Sequence, residues 1–354
     1  MNYDELLKNL AVEGVSDIHF KVGRPPLLRV RGFLKAVNAP HLQPQDTLDL
    51  AKHFLGQKHW QEFSQCMEID TSYSLSGYCR FRVNVFRQRG SFSLTLRIIP
   101  YKVPTLEELG VPDVIKKLSE SKRGLILVTG ITGSGKSSTL AAMVDYINNL
   151  FAYHIITIED PIEFLHSDIL SSINQREVGL DTGDFSTAFK AALRQDPDVI
   201  MVGELRDAQT MEIALRAAET GHLVLSTVHT TDAKETIGRF VDSFPPHQQK
   251  QIRLQLASNL NAVISQRLLN RADGTGLVLA SEVMVVNAAI RDYILDPSKT
   301  FEIIDNMAKG RDLYGSQTFD QAILDLLNSG LVTEEEALFN ATSTNDFKLK
   351  LSLK

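Results

Sequence analysis

The sequence predicts an α/β protein built in two parts: an α+β N-terminal domain of about 100 residues, then a domain of alternating strands and helices that finishes in helices. Three observations carry this. Strand-like runs crowd the first hundred residues, with their helices set apart from them. Prolines at Pro100 and Pro104 then punctuate the chain, and a new helical pattern opens at Leu106-Glu-Glu-Leu-Gly110. After that break, apolar runs at 125–129, 154–159, 199–203 and 223–229 alternate with helical segments near 136–149, 184–195 and 207–219. Such alternation predicts a parallel sheet covered on both faces.

Within the first part, residues 2–13 read as a short amphipathic helix and Ile18-His-Phe-Lys-Val22 as a strand. A hairpin is expected from Leu27 to Val37, turning at Arg31-Gly32. Helices over 44–55 and 57–66 precede strands at 68–75, 79–88 and 91–99. Past the alternating part, Asp273-Gly-Thr-Gly276 marks a turn, 277–286 reads as one more strand, and the remainder as helices. The expected divisions are 1–99, a linker at 100–112, a core at 113–269, and a mainly helical C-terminal part at 270–354.

Length and composition narrow the class. At 354 residues, with 43% hydrophobic and 23% charged side chains, the chain has the make-up of a globular protein of two or three domains. No apolar run approaches the roughly 20 residues that cross a bilayer, and Met1-Asn-Tyr-Asp-Glu-Leu-Leu7 is acidic rather than signal-like, so a cytoplasmic location is expected. Cys66 and Cys79 cannot build a tetracysteine zinc site and are expected as thiols. Residues 1–100 hold 13 Lys and Arg against 9 Asp and Glu, a net of +4, which leaves 24 against 34, a net of −10, for the rest. That acidity weighs against a nucleic-acid track. Arg80, Arg82, Arg87, Arg89 and Arg97 cluster in the basic part, as a phosphate sensor, a nucleic-acid face or a solvated surface.

The chemistry begins at Gly130-Ile-Thr-Gly-Ser-Gly-Lys-Ser137, between the run Leu125–Val128 and the helical Ser138–Met143. This is the strand, glycine loop and helix of a P-loop. Its glycines let backbone N–H groups of Thr132, Gly133, Ser134, Gly135, Lys136, Ser137 and Ser138 turn toward a polyphosphate, at a helix N-terminus that favours the same charge. Lys136 is expected on the β- and γ-phosphates and the Ser137 hydroxyl on Mg²⁺.

Three further segments end strands with chemistry-bearing residues. Glu159-Asp-Pro-Ile-Glu163 stands where open α/β sheets bind ligands; Glu163 is the candidate general base, with Glu159 and Asp160 in support. Val199-Ile-Met-Val-Gly-Glu204 reads as a Walker B segment with Glu204 on the metal. His222 and His229 bracket one strand and so lie roughly 20 Å apart, too far to share a metal. His229 falls on the P-loop side and suits phosphate contact, whereas His222 alone reads as structural.

Together these segments resemble the aspartate box, the Walker B region (Asp196–Asp207) and the histidine box (Thr220–Thr231) of the secretion-superfamily ATPases. Within that superfamily the chain is most similar to the type IV pilus retraction ATPases, over nearly its whole length. Ser16-Asp-Ile-His-Phe20, Arg80-Phe-Arg-Val-Asn84 and Gln317-Thr-Phe-Asp320 belong to the same resemblance.

The resemblance implies a homohexamer in which a PAS-like N-terminal domain joins a RecA-like P-loop ATPase domain followed by C-terminal helices. ATP and Mg²⁺ would bind between the domains, beside an inner-membrane pilus platform protein. It implies phosphate and metal roles for Lys136, Ser137 and Glu204, the attacking water for Glu163, γ-phosphate contact for His229, and a nucleotide-state relay for His222. Arg82 and Arg97 would reach the nucleotide from the N-terminal domain, leaving Arg87 and Arg89 at the surface. It implies peripheral placement at the pilus base, with no nucleic-acid binding and no membrane insertion. Ile131 replaces the loop's usual proline, and Ala289-Ile-Arg-Asp-Tyr-Ile294 replaces Ala-Ile-Arg-Asn-Leu-Ile. The rival readings are a pilus-assembly or type II secretion ATPase, a RecA-like nucleic-acid motor, and a nucleotide-gated binding module.

Overall fold

The computed structural model describes residues 2–75, 77–99 and 102–352, with the side chain of Lys58 left aside. Met1, Ser76, Pro100 and Tyr101 of the expected linker, and the last two residues lie outside the described residues. The chain divides into two units. The first comprises Met1–Lys102, Pro161–His166 and Gly179–Asp181; the second comprises Val103–Asp160, Ser167–Val178 and Thr182–Lys354.

The first unit runs α1 (Tyr3–Leu10), β1 (Val15–Lys21), β2 (Leu27–Val30), β3 (Phe33–Ala36), α2 (Pro44–Cys66), β4 (Glu68–Leu75), β5 (Cys79–Gln88) and β6 (Ser91–Ile99). Its strands form an antiparallel sheet in the order β3-β2-β1-β6-β5-β4. The expected turn at Arg31-Gly32 is present with φ of 50° and 85°, the paired left-handed geometry that matches strand twist in a two-residue hairpin. Gly56, at φ 59° and ψ −170°, breaks α2 where the sequence had suggested two helices. Strand alternation puts Phe81, Val83 and Val85 of β5 into a core with Phe20, Leu94, Leu96 and the α2 residues Phe54 and Phe63, and turns Arg82 to the opposite face.

The second unit opens with α3 (Leu106–Leu109) and α4 (Val114–Ser119), then β7 (Gly124–Thr129), α5 (Lys136–Leu150), β8 (His154–Glu159), β9 (Ser172–Glu177), α6 (Phe185–Ala192), β10 (Val199–Val202), α7 (Ala208–Glu219) and β11 (Leu223–Val228). It continues through α8 (Ala233–Asp242), α9 (Pro246–Asn259), β12 (Leu260–Asn270) and β13 (Leu277–Val285). The last helices are α10 (Ala288–Leu295), α11 (Glu302–Lys309), α12 (Arg311–Tyr314), α13 (Phe319–Asn328), α14 (Glu334–Asn340) and α15 (Thr344–Ser352). The sheet order is β13-β12-β7-β11-β10-β8-β9, parallel throughout except for the antiparallel β12–β13 pair. Apolar side chains pack both faces: Ile126, Val128, Met143 and Ile147 on one, Leu127, Ile200, Phe189 and Phe240 on the other. The central strands β7, β8, β10 and β11 are mainly apolar because both faces are covered.

Two strands depart from the sequence reading, which had none at 172–177 or 260–270. The division expected between 269 and 270 lies inside β12, whose partner β13 belongs to the same sheet. Helix α9 passes into β12 with Leu260 already extended, so no glycine or proline announces the change. β9 is the polar edge segment Ser-Ile-Asn-Gln-Arg-Glu, which lacks the apolar run expected of a buried strand.

Candidate nucleotide site

The loop between β7 and α5 is shaped by close backbone approach. Gly130 has φ +141°, and a Cβ there would lie 2.6 Å from the Gln266 carbonyl oxygen and 2.5 Å from Ser134 Oγ. Gly133 and Gly135 have φ of 81° and 90°, a left-handed path that bends the loop around its own N–H groups. Helix α5 opens at Lys136 directly behind it. Lys136 is buried, and its ammonium donates to the carbonyls of Gly130 at 2.8 Å and Ile131 at 2.9 Å, which holds Nζ at the loop. Thr132 and Gly133 are exposed, Ser137 and Ser138 are half-buried, and the Ile131 side chain points outward at 68% exposure, so the missing proline changes no packing.

Sheet register assembles the rest of this end. Val228 pairs with Thr129, so His229 follows β11 where Gly130 follows β7. Glu204 lies just past β10, and its carboxylate meets Arg206 Nη2 at 2.5 Å and His229 Nε2 at 3.3 Å. The hydroxyls of Ser226 and Thr227 donate to the carbonyls of Val202 and Gly203, both at 2.6 Å, and fix the two strand ends together. The His229 loop is tied down as it enters α8. Thr230 and Thr236 hydroxyls meet at 2.7 Å, Glu235 accepts from Thr231 N at 2.8 Å, and Asp232 caps the helix by accepting from Glu235 N.

His222 precedes β11 at the opposite end of the sheet, with Nδ1 2.9 Å from Ala217 O and 3.2 Å from Thr220 Oγ1. Glu159 ends β8, buried, and accepts from Thr157 Oγ1 at 2.6 Å and Gln175 Nε2 at 3.2 Å, which suits it to hold the loop. Glu163 is exposed and belongs to the first unit, while Glu159 and Asp160 belong to the second; the acidic segment is thus split between the units.

On the first unit's sheet, Arg82 and Arg97 stand directly opposite each other across β5 and β6. Arg97 Nε donates to Asp17 Oδ1 at 3.0 Å, and Arg82 Nε lies 3.8 Å from Asp70 Oδ1; the two arginine side chains remain 69% and 47% exposed. Burial pushes the Asp17 carboxyl upward, but hydrogen bonds from Ser16 and Arg97, with the Arg97 charge, outweigh it and leave the pKa lowered. Arg87 lies over the Phe92 ring at 5.0 Å. Arg89 forms the β5–β6 turn at φ 50°.

Sequence reasoning missed the strand behind the loop. Thr129 Oγ1 donates to Ser265 Oγ at 2.9 Å, and the fully buried Gln266 donates from Nε2 to Thr139 Oγ1 at 2.6 Å, one turn into α5. Three adjacent polar residues, Ser265, Gln266 and Arg267, inside the otherwise apolar run Ala262–Leu269 were the available signal.

The family model of the Type II/IV secretion system protein matches residues 2–314. The type IV pilus retractation ATPase PilT of Pseudomonas aeruginosa is 45% identical over 347 residues, which cover 98% of this chain and 100% of that protein. A twitching motility protein of Neisseria gonorrhoeae is 43% identical over 312 residues, 88% of this chain and 83% of its own. A crystal structure of the pilus retraction motor PilT with bound ADP superposes with a TM-score of 0.90 at 46% identity, covering 99% of each chain. Among the described residues no helix is long and apolar enough to cross a membrane, and no three His, Cys, Asp or Glu side chains form a group that could hold a metal ion.

Proposed function

Since the chain belongs to the Type II/IV secretion system protein family, among its pilus retraction ATPases, we propose that it is a ring-forming hexameric motor that couples ATP hydrolysis to type IV pilus retraction, by pilin disassembly at an inner-membrane platform protein. The observation that carries the nucleotide chemistry is the meeting of Glu204 and His229 at the sheet end from which the Lys136 loop springs. The reading as a retraction motor is supported by likeness over the full length of both chains.

The loop from Thr132 to Ser138 cradles the phosphates with backbone N–H groups, and Lys136 supplies charge to the β- and γ-oxygens. Mg²⁺ fits the oxygen donors that this end offers, the Ser137 hydroxyl and the Glu204 carboxylate, and supplies charge neutralisation on the phosphates when bound. One or two protein oxygens suffice for Mg²⁺ bound together with a nucleotide, so Ser137 and Glu204 would be enough to hold it there. His229 contacts the γ-phosphate and is held ready by Glu204. Glu163 orients and deprotonates the attacking water. Arg82 and Arg97, on a PAS-like N-terminal unit, stabilise charge on the transferring phosphoryl oxygens. His222, fixed to the end of α7, relays the nucleotide state.

Cells lacking the protein are expected to carry many pili that never shorten. Cells without pili would sink retraction in favour of assembly. Light scattering of the nucleotide-bound protein is expected to give about six chains per particle; a strict monomer at every concentration would remove the motor.

A further inference from the structure

The segment Gln317-Thr-Phe-Asp320 has no part in the nucleotide chemistry above, yet it is firmly anchored. Gln317 and Val283 exchange backbone hydrogen bonds at 2.8 and 2.9 Å, which lays the segment along β13. Thr318 caps α13, and Asp320 accepts from Thr342 N at 2.8 Å and pairs with Lys350 at 3.6 Å.

Next to Val283 on β13, Glu282 is 5% exposed. Its Oε1 accepts from the backbone N–H of Ala233, the first residue of α8, at 2.9 Å, and the backbone N–H of Phe319, the first residue of α13, favours its ionised form. Two helix N-termini, each carrying partial positive charge, thus converge on one buried acid. A carboxylate this far from water needs such partners to remain ionised. The first of these helices follows the His229-Thr-Thr231 loop after the single cap residue Asp232. Where Ala233 is held, that loop is held.

We propose that Glu282 is a positioning residue for the hydrolysis site: it locks the start of α8, and through it the His229 loop, to the start of α13, so that the nucleotide end of the sheet and the C-terminal helices move as one.

The surrounding charges fit this role. Asp232, the cap of α8, opposes ionisation of Glu282, while Arg267 on β12 favours it. Arg267 is itself fixed, 3.9 Å over the Phe319 ring and donating to Asn340 O at 2.7 Å. On α13, Asp320 has Lys350 as its counter-ion. Burial above all, with Asp232, raises the Glu282 pKa to about 7 against the pull of the two amides and Arg267. The ionised carboxylate offers acceptor oxygens to both amides. The neutral acid spends one oxygen on a hydroxyl and loosens the lock.

Glu282→Gln copies the neutral form in shape and hydrogen-bonding capacity. In the full-length protein, ATP turnover of the wild type is expected to rise as pH passes through about 7, in kcat and not in KM. The Gln variant is expected to stay flat at the low-pH level, about tenfold below wild type on the alkaline side, the scale of one lost charge-assisted hydrogen bond. His229 is intact in that variant, so a pH limb arising from its imidazole would persist. Hydrogen exchange of the Ala233 and Phe319 amides is expected to slow together on nucleotide binding in the wild type and independently in Glu282→Gln and Glu282→Asp. An unchanged kcat–pH profile in Glu282→Gln, a loss confined to KM, or a loss that follows the unfolded fraction in a melt would overturn the proposal. It rests on His229 acting at the nucleotide. Normal turnover in His229→Ala would remove that assignment and with it the expected effect on kcat, whereas the paired amide protection tests the lock between α8 and α13 by itself.

Discussion

Replacing Gly130 by Ala tests whether the loop's shape is what binds phosphate. The new Cβ would meet a backbone carbonyl, that of Gln266, at 2.6 Å, and Ser134 Oγ at 2.5 Å. Ser134 can rotate away, but the carbonyl is part of the β12 ladder and cannot. The conformation at φ +141° adds a cost of about 1–2 kcal/mol for a residue with a Cβ, and overpacking adds about 1–3 kcal/mol. If the loop kept its path, the unit would lose about 2–5 kcal/mol, a fall in Tm of about 4–20 °C for a unit of this size. If the loop moved instead, stability would be retained and its N–H groups would no longer converge. Gly133→Ala is the control. Its φ is also positive, at +81°, but nothing lies within 4 Å of the added Cβ, so only the conformational cost applies. Nucleotide binding by calorimetry and a thermal melt on both variants separate these cases. Gly130→Ala is expected to lose nucleotide affinity or stability, Gly133→Ala far less of either. Wild-type affinity together with wild-type Tm in Gly130→Ala would refute the reasoning.

Lys136→Ala is expected to abolish turnover in a phosphate-release assay, because the charge on the β- and γ-oxygens is gone. Glu163→Gln should keep ATP binding and slow hydrolysis by orders of magnitude; wild-type turnover would remove the base assignment. Arg82→Ala and Arg97→Ala are each expected to cut turnover far more than ADP binding, by as much as about 10³-fold for a true arginine finger, with Lys a poor substitute for the planar guanidinium. Normal hydrolysis in both would leave them as surface residues. The lowered pKa of Asp17 means that the native first unit releases this proton more readily than the unfolded chain does. The resulting stabilisation is present above the ordinary carboxylate range and is lost as pH falls through the lowered value. Asp17→Asn should flatten that part of an acid-unfolding curve, and an unchanged curve would count against the Asp17–Arg97 link.

The parts of the fold that local chemistry determines were legible in the chain. The P-loop needs an apolar strand, glycines at positive φ and a helix in immediate succession, and each leaves its mark on Gly124–Leu150. The turn at Arg31-Gly32 and the break at Gly56 are likewise short-range. What escaped was decided at long range. Asp17 and Arg97 meet across 80 positions of chain, and Gln266 reaches Thr139 across 127, so neither contact follows from spacing. Glu282 reads as one acid in a strand; only the packing of α8 and α13 buries it. β12 was missed because α9 runs into it unbroken, and β9 because an edge strand need not be apolar.

That polar edge has a consequence for how such molecules coexist. A parallel sheet of apolar strands is dangerous at its margins, where unsatisfied N–H and C=O groups can recruit a strand from a neighbouring copy and seed an insoluble stack. Here one margin is the short β9, whose exposed Ser172 and Asn174 would have to shed water to be buried in such a stack. At the other margin, Gln317 closes part of β13 by taking both backbone bonds of Val283. A variant of β9 with valines in place of Ser172 and Asn174 would keep every residue of the nucleotide end and yet deposit as aggregate at concentrations where the native chain stays dissolved.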